Sequence, residues 1–173
     1  LPEIRDAVLK AAGVLGELGA VVDEVSIPLI AWTGAFSKAL TDFDGASVHY
    51  DILRSRAGDY DYNTRVRLMT AAITPAQTYF KSQKLREMLR RDILAALEKF
   101  DVLVLPTSPA PAPKIPDGPG IKDIEEARAR MFGVRGFTGP FNCSSTPALS
   151  ICCGFTSDNL PIALEIAGRN FEE

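Results

Sequence analysis

The 173-residue sequence predicts an α/β fold in which helices cover a β-sheet, and three observations support this class. An amphipathic helix at residues 2–18 leads through a glycine into a β-branched segment. A long amphipathic helix that ends near Phe100 is followed at once by a short apolar strand. Two further strand-like segments lie in the last 26 residues. Helices that alternate with short apolar strands are typical of layered α/β proteins.

The first predicted element is the helix at residues 2–18, whose apolar side chains recur every three or four positions. Gly19 stands where a helix C-cap belongs. Residues 20–27 hold four β-branched side chains, and this content predicts a strand that is stopped by Pro28.

The middle of the chain is predicted to be mostly helical. Residues 29–57 favour helix, residues 58–63 are turn-like, and residues 64–73 form another helix. Thr74-Pro75-Ala76-Gln77 then resembles a capping box, with the Thr74 hydroxyl as the cap and Gln77 as its reciprocal partner. The following helix is expected to reach about Phe100 and to turn five side chains inward: Phe80, Leu85, Leu89, Ile93 and Leu97.

Residues 101–105 are predicted to form a buried strand that ends at Pro106. Residues 106–119 contain six of the twelve prolines, which excludes an interior helix or a central strand and predicts an extended segment. The remaining predictions are a short helix near 123–132, an irregular stretch at 137–146, strands at 148–153 and 162–166, and a turn at 156–159 between these strands.

Composition excludes several classes of protein. The chain is 46% apolar with a net charge of −3, which suits one folded domain and argues against disorder. Three cysteines are too few for a disulfide scaffold, and 19 basic against 22 acidic residues leave no basic surface for nucleic acid. The apolar runs are too short to span a membrane and no signal peptide is recognisable, so we expect a cytoplasmic protein. Because the chain begins with Leu1, we expect it to be part of a longer one.

The residues alone offer no complete catalytic constellation. His49 is the single histidine, and a Cys–His hydrolase would need it beside Cys143 or the Cys152–Cys153 pair. The cysteine spacing does not match a zinc site, so no metal and no cofactor are expected. Ser144 and Ser145 lack the glycines of a nucleophile elbow, which favours a turn or cap role for their hydroxyls.

Charged residues in the middle of the chain leave two further alternatives open. Asp59 and Asp61 are either a carboxylate pair for acid–base chemistry or a solvated turn. Arg65 and Arg67 either clamp a carboxylate or belong to a surface face of the helix.

Three segments together resemble the amidase-signature family. The first is Asp-Val-Leu-Val-Leu-Pro-Thr at 101–107 with the Ala-Pro alternation to Pro113. The second runs from Phe-Thr-Gly-Pro-Phe-Asn at 137–142 through Pro-Ala-Leu-Ser at 147–150 and Cys-Gly-Phe at 153–155 to Gly168-Arg169. The third is the opening helix with the segment up to Pro28, and weaker matches are Asp44 with His49, Tyr79 and Arg86. The resemblance covers nearly the whole sequence.

This resemblance implies hydrolysis of a small-molecule carboxamide by a Ser–cis-Ser–Lys triad. In the family the three residues lie upstream of the helix matched by 2–18, so no catalytic residue is expected in this chain. Residues 1–173 would then be the C-terminal part of a single amidase-signature domain, an α/β/α fold with a mixed β-sheet, whose last helix is cut off after Glu173. The chain would supply scaffold and pocket walls.

The resemblance also implies the substrate-binding residues. Phe137, Thr138 and Phe141 are expected near the acyl side of the substrate, with a place in the core as the alternative for both phenylalanines. Arg67 resembles an arginine that contacts the substrate carboxylate in the glutamyl-tRNA amidotransferase A subunit. That protein has an acidic residue three positions before the threonine matched by Thr138, whereas this chain has Arg135. A general amidase therefore ranks above an amidotransferase component.

Two other hypotheses compete with the amidase. One is a non-catalytic binding or assembly module that keeps the amidase-like scaffold, and the other is an independent hydrolase that uses Cys143 and His49. For the amidase fragment and for the non-catalytic module alike, we expect exposed apolar surface. For the isolated chain we also expect a homodimer, or aggregation, through the sheet edge that missing strands leave free.

Overall fold

A computed structural model of the chain describes residues 1–115, 118, 125 and 137–172. It contains six α-helices within these residues: α1 (Pro2–Glu17), α2 (Thr33–Val48), α3 (Tyr50–Arg56), α4 (Tyr62–Ile73), α5 (Ala76–Leu97) and α6 (Gly139–Ser144). Short 3₁₀ turns lie at Pro28–Trp32 and Ala57–Asp59. Three strands complete the described architecture, β1 (Leu103–Pro106), β2 (Ala148–Phe155) and β3 (Pro161–Ala167).

The three strands form one antiparallel sheet in the order β1-β3-β2. Leu103 pairs with Ala167 on one side of β3, and Ser150 pairs with Glu165 on the other. The predicted hairpin is confirmed: β2 turns into β3 through Thr156–Leu160, where the Thr156 amide donates to the Leu160 carbonyl at 2.8 Å. The α/β class is confirmed as well. The parallel strand that a mixed sheet requires is not among the described residues, since every described pairing is antiparallel.

Helix α1 ends at the position that Gly19 predicts. Gly19 has φ +102°, and its amide donates to the Gly16 carbonyl while the Ala20 amide donates to the Leu15 carbonyl, both at 3.0 Å. These two bonds form a Schellman motif, which needs the left-handed conformation that glycine adopts without a steric penalty. Helix α1 lies against all three strands and buries Ile4 and Val8.

The strand predicted at residues 20–27 is wrong. This stretch has no strand pairing within the described residues, and Val21 is 95% exposed. β-Branched side chains favour an extended backbone, but a strand also needs a neighbour for its hydrogen bonds. No described strand lies beside this segment.

The long helix is confirmed, but its predicted cap is wrong. Helix α5 begins at Ala76 after Pro75, and no side chain caps its first turn. The Thr74 hydroxyl instead donates to the Thr70 carbonyl at 2.7 Å, inside the last turn of α4. Phe80, expected on the inner side, is exposed, whereas Leu89, Ile93 and Leu97 are buried.

The core lies between α5, the sheet and two shorter helices. Its buried members come from α2, α5, α6, β1 and β3: Phe36, Leu89, Ile93, Ala96, Leu97, Leu103, Phe141, Cys143 and Ala167. Arg169 closes the end of this core, because its guanidinium donates to the Leu97 carbonyl at 2.8 Å and to the Phe100 carbonyl at 3.1 Å.

The segment after β1 is irregular, since residues 107–115 form neither helix nor strand. The short helix predicted at 123–132 lies outside the described residues apart from position 125. Across the part of the chain that the structure describes, no helix combines the length and the apolar character that a bilayer crossing requires.

Candidate functional site

Helix α6 and its flanks carry three of the predicted site residues. Phe137 is half-buried and Thr138 is exposed just before the helix, while Phe141 is 2% exposed and belongs to the core. Gly139 brings this segment close to α2, because a Cβ placed on it would lie 3.1 Å from the Thr33 methyl group. Of the three predicted site residues, Phe141 therefore anchors the segment, whereas Phe137 and Thr138 reach the surface.

The connection from α6 to β2 is built from buried hydroxyl groups. Ser144 is fully buried, and its Oγ lies 2.7 Å from the Thr146 Oγ1 and donates to the Phe141 carbonyl at 3.3 Å. Ser145 adopts the left-handed conformation with φ 57° and ψ 39°, and so ends the helix. These contacts agree with the turn and cap role predicted for the two serines, and the described partners of Ser144 include no histidine.

Two arginines of α5 face the end of α6. Arg86 Nε donates to the Cys143 carbonyl at 2.9 Å, and its Nη2 donates to the Ser145 Oγ at 3.3 Å. Arg90 Nη1 donates to the Ser144 carbonyl. The last carbonyls of a helix lack partners within the helix, and cations near that end also oppose the negative end of its dipole. Arg86 was matched to the family from the sequence, whereas Arg90 had no local signal, because the carbonyl it binds is 54 positions away in the chain.

Arg67 lies in a separate charged group between α2 and α4. Its Nη2 is bound to the Asp42 carboxylate, whose other oxygen accepts from Lys38 Nζ at 2.6 Å. The Arg67 Nε is buried and has no partner among the described residues. Two cations thus share one carboxylate. Asp42 and Thr33 are nine residues apart on α2, about 13 Å at the helical rise, so the carboxylate that binds Arg67 is separated along α2 from the Thr33 contact with Gly139.

The single histidine and the cysteines do not form a catalytic pair. His49 Nδ1 is hydrogen-bonded to the Tyr60 hydroxyl at 2.9 Å, and it lies at the C-terminal end of α2, about 24 Å along that helix from Thr33. Burial raises the pKa of the Cys143 thiol, and the Arg86 guanidinium only partly opposes this. A thiol with a raised pKa is a poor nucleophile, so this geometry argues against the Cys–His hydrolase.

The acidic residues near the start of α4 have structural roles. Asp61 caps this helix, since its carboxylate accepts from the Asn63 amide at 3.0 Å and the Thr64 amide at 3.3 Å. Asp59 pairs with Arg56 at 3.5 Å on the surface. The two carboxylates thus serve a cap and a surface ion pair.

Glu165 is a buried acidic residue that was not predicted from the sequence. It lies in the central strand β3, it is 5% exposed, and its Oε2 has no hydrogen-bond partner among the described residues. Burial raises its pKa to about 7. On the same face of the sheet, the Ser150 and Thr107 hydroxyls meet at 2.7 Å. A charged residue inside the apolar run Ile162–Ala167 was the available sequence signal.

Two cavities of the described structure lie away from the predicted binding residues. One of about 250 Å³ lies between the proline-rich segment and the start of β3, where Thr107, Ala110 and Ile162 line it. A second of about 550 Å³ lies between residues 24–28 and the end of α5. No group of three or more potential metal-ligating side chains occurs among the residues that the structure describes.

Comparisons with known proteins agree on one family. The sequence model of the family described as Amidase matches residues 1–173. The glutamyl-tRNA(Gln) amidotransferase A subunit of Geobacillus thermodenitrificans is 33% identical over 196 residues, which cover 99% of this chain and 39% of that protein. The corresponding protein of Listeria monocytogenes is 32% identical over 196 residues, with the same coverage of both chains. The chain therefore spans about two fifths of the length of the curated relatives it matches.

Solved structures give the same result. A crystal structure described as an amidase superposes with a TM-score of 0.79 at 26% identity, over 98% of this chain and 38% of that one. The glutamyl-tRNA(Gln) amidotransferase A subunit from Thermotoga maritima superposes with a TM-score of 0.72 at 27% identity, over 99% of this chain and 36% of that one. The full-length family match and these shared folds show that the chain belongs to the amidase family, the amidase-signature family that its sequence resembles.

Proposed function

We propose that the protein to which these residues belong is an amidohydrolase that cleaves the C–N bond of a carboxamide, giving a carboxylate and ammonia or an amine. The observation that carries this proposal is the match of the amidase family model to residues 1–173. The chain spans about two fifths of its relatives, so we place the Ser–cis-Ser–Lys triad in a part of the protein outside these 173 residues. Residues 1–173 are then the C-terminal part of the domain.

In this proposal the chain contributes scaffold and pocket walls. Phe137 and Thr138 reach the surface beside α6, where an acyl group has access to them. Phe141 is buried below them and holds the segment against the core, so its contribution to binding is through shape. An irregular segment on a rigid helix and sheet support is a common place for binding residues.

Arg67 is proposed to bind an acidic group of the substrate. Lys38 and Arg67 surround a single carboxylate, Asp42, which leaves one net positive charge in this group. Such a site favours a ligand that carries a carboxylate or another anion.

An amidotransferase component is the second candidate. The curated relatives named above are amidotransferase subunits, at 32% and 33% identity. Against it stands Arg135, at the position where the resemblance implies an acidic residue for recognition of glutamine. The general amidase therefore remains the first candidate, and a non-catalytic module with the amidase scaffold is the third.

We also propose a cytoplasmic protein that forms a homodimer. Strand β2 is one of the two outer strands of the described sheet, and its side chains Leu149, Ile151 and Phe155 are exposed. Exposed edge strands of this kind favour pairing with another chain. The net charge of −3 supports neither nucleic acid nor an anionic membrane as a partner.

The test uses the full-length protein with an aromatic amide, an aliphatic amide, an amide that carries a carboxylate, and glutamine. Released ammonia and carboxylate are measured, and a fluorophosphonate probe reports a reactive serine. Arg67→Ala should raise KM for the carboxylate-bearing amide. Arg65→Ala on the same helix is the matched control, because the Arg65 guanidinium lies over the Tyr62 ring and not at Asp42. Turnover of glutamine alone would favour the amidotransferase. The absence of both turnover and labelling would contradict the amidohydrolase and favour the non-catalytic module.

A further inference from the structure

Helix α6 is too short to hold its own orientation. It has six residues, and a single turn and a half of helix leaves most of its carbonyls without a partner in the helix. Its position therefore depends on contacts from other elements. Gly139 packs on α2 and Phe141 lies in the core, and α5 adds polar contacts at the C-terminal end of the helix.

The contact is made by two guanidinium groups one helical turn apart. Arg86 and Arg90 are four residues apart and so lie on the same face of α5. They donate to the consecutive carbonyls of Cys143 and Ser144, and Arg86 also reaches the Ser145 hydroxyl. Hydrogen bonds from a charged donor are about twice as strong as neutral ones, and the planar guanidinium fixes direction as well as distance.

The residue at the junction is held in an unfavourable conformation. Ser145 has a positive φ of 57°, which costs a serine more than it costs a glycine. Contacts on both sides hold Ser145 in this conformation. The buried Ser144 hydroxyl is hydrogen-bonded to the Thr146 hydroxyl, and the Thr146 amide donates to the Phe141 carbonyl at 3.2 Å. Sparsely populated backbone conformations that are held in this way are concentrated at functional sites.

We propose that Arg86 and Arg90 are positioning residues that set the placement of α6, and through it the pocket wall formed by Phe137 and Thr138. This inference rests on the proposed function, since it assumes that the wall contacts the acyl group. In this proposal the arginines act through the Cys143 and Ser144 carbonyls and not by contact with the substrate. They hold these carbonyls at the C-terminal end of the helix, next to the left-handed Ser145.

The test compares Arg86→Gln with Arg91→Gln in the full-length protein. Arg91 is exposed on the same helix and serves as the matched control. With a series of amides of increasing acyl size, Arg86→Gln should raise KM at least about tenfold for the larger acyl groups and leave kcat within about twofold, because it loses the charged hydrogen bonds to the Cys143 carbonyl and the Ser145 hydroxyl. Arg86→Lys should recover part of this loss, and Arg91→Gln should leave both constants unchanged.

Hydrogen exchange supplies a readout that needs no activity. The amides of residues 139–146 should exchange about tenfold faster in Arg86→Gln, while the middle of α5 stays protected, because local opening follows the loss of local contacts. Arg86→Lys is the second variant if the glutamine variant does not fold.

The outcomes separate the two proposals. An equal change of KM for all acyl sizes, or a loss of kcat alone, would overturn the positioning role even if exchange accelerates. Unchanged exchange at 139–146 would overturn it as well. A wild-type protein without amide turnover or serine labelling would refute the proposed function, and it would also overturn the role of the arginines in shaping a pocket, whereas the exchange data would still report whether they hold α6.

Discussion

Glu165→Gln should remove a pH dependence of folding that arises from one buried carboxyl group. Glu165 lies in the central strand, is 5% exposed, and has an oxygen without a partner among the described residues. Burial penalises the charged carboxylate, because water solvates the ion better than the protein interior does. The pKa is therefore raised from the ordinary 4.5 to about 7.

The sign of the effect follows from proton binding in the two states. As the pH rises from about 4.5 to about 7, the unfolded chain releases the proton while the folded chain retains it. The stabilisation by the neutral carboxyl is thus present at low pH and is lost through this window. One pKa unit corresponds to about 1.4 kcal/mol. The raised pKa of Glu165 should therefore lower the free energy of unfolding by about 3 kcal/mol by pH 8.

The assay is urea denaturation of wild type and Glu165→Gln at about pH 5 and about pH 8, with linear extrapolation of the free energy of unfolding. The glutamine cannot ionise. The free energy of unfolding of the variant minus that of wild type should therefore be about 2 to 3 kcal/mol larger at pH 8 than at pH 5. Contributions from other titrating groups cancel in this difference. Glu87→Gln, at an exposed position of α5, is the control.

The comparison between pH values separates ionisation from packing. A new amide in the glutamine variant, left without a partner, lowers the stability equally at both pH values, and so it does not affect the difference. If the free-energy gap between variant and wild type is the same at pH 5 and pH 8, Glu165 does not titrate in this window and the reasoning is refuted.

The remaining predictions concern the core, a helix cap, and the isolated chain. Leu97→Ala removes a core side chain that is 1% exposed and should lower the free energy of unfolding by about 2–5 kcal/mol, measured by thermal or urea denaturation; a loss below about 1 kcal/mol would contradict the assigned core. Asp61→Ala removes the carboxylate that caps α4 and should cost about 1 kcal/mol in the same measurement, whereas Asp61→Asn, which keeps an acceptor oxygen, should cost less. The 173-residue chain by itself should not turn over an aromatic amide, and activity that survives repurification would contradict the absence of a triad from these residues. The isolated chain should also form a dimer through β2, with a dimer mass in light scattering. A monodisperse monomer would count against this prediction.

Most of the helices and the hairpin were accessible from the sequence because their signals are local. Gly19 marked the end of α1, the spacing of Leu89, Ile93 and Leu97 marked the buried face of α5, and a turn-rich stretch separated β2 from β3. The family was also accessible, since its motifs are short runs of residues in a constant order.

The failures came where local preference and tertiary contact disagree. Residues 20–27 have the composition of a strand but no strand beside them in the described sheet. Thr74 has the residue type of a cap, yet its hydroxyl bonds back into α4. Neither outcome is encoded within a short window of sequence, because each depends on what the rest of the chain places nearby.

Local sequence patterns were enough to assign the α/β class, the main helices, the hairpin and the amidase family. The long-range contacts became known from the fold: Arg86 and Arg90 bind the end of α6, and Arg67 binds Asp42. The burial of Glu165 also became known only from the fold. These two kinds of feature differ in the distance over which the underlying interactions act. Helix periodicity and turn chemistry act over a few residues, whereas burial and charge pairing act through space between residues that are tens of positions apart.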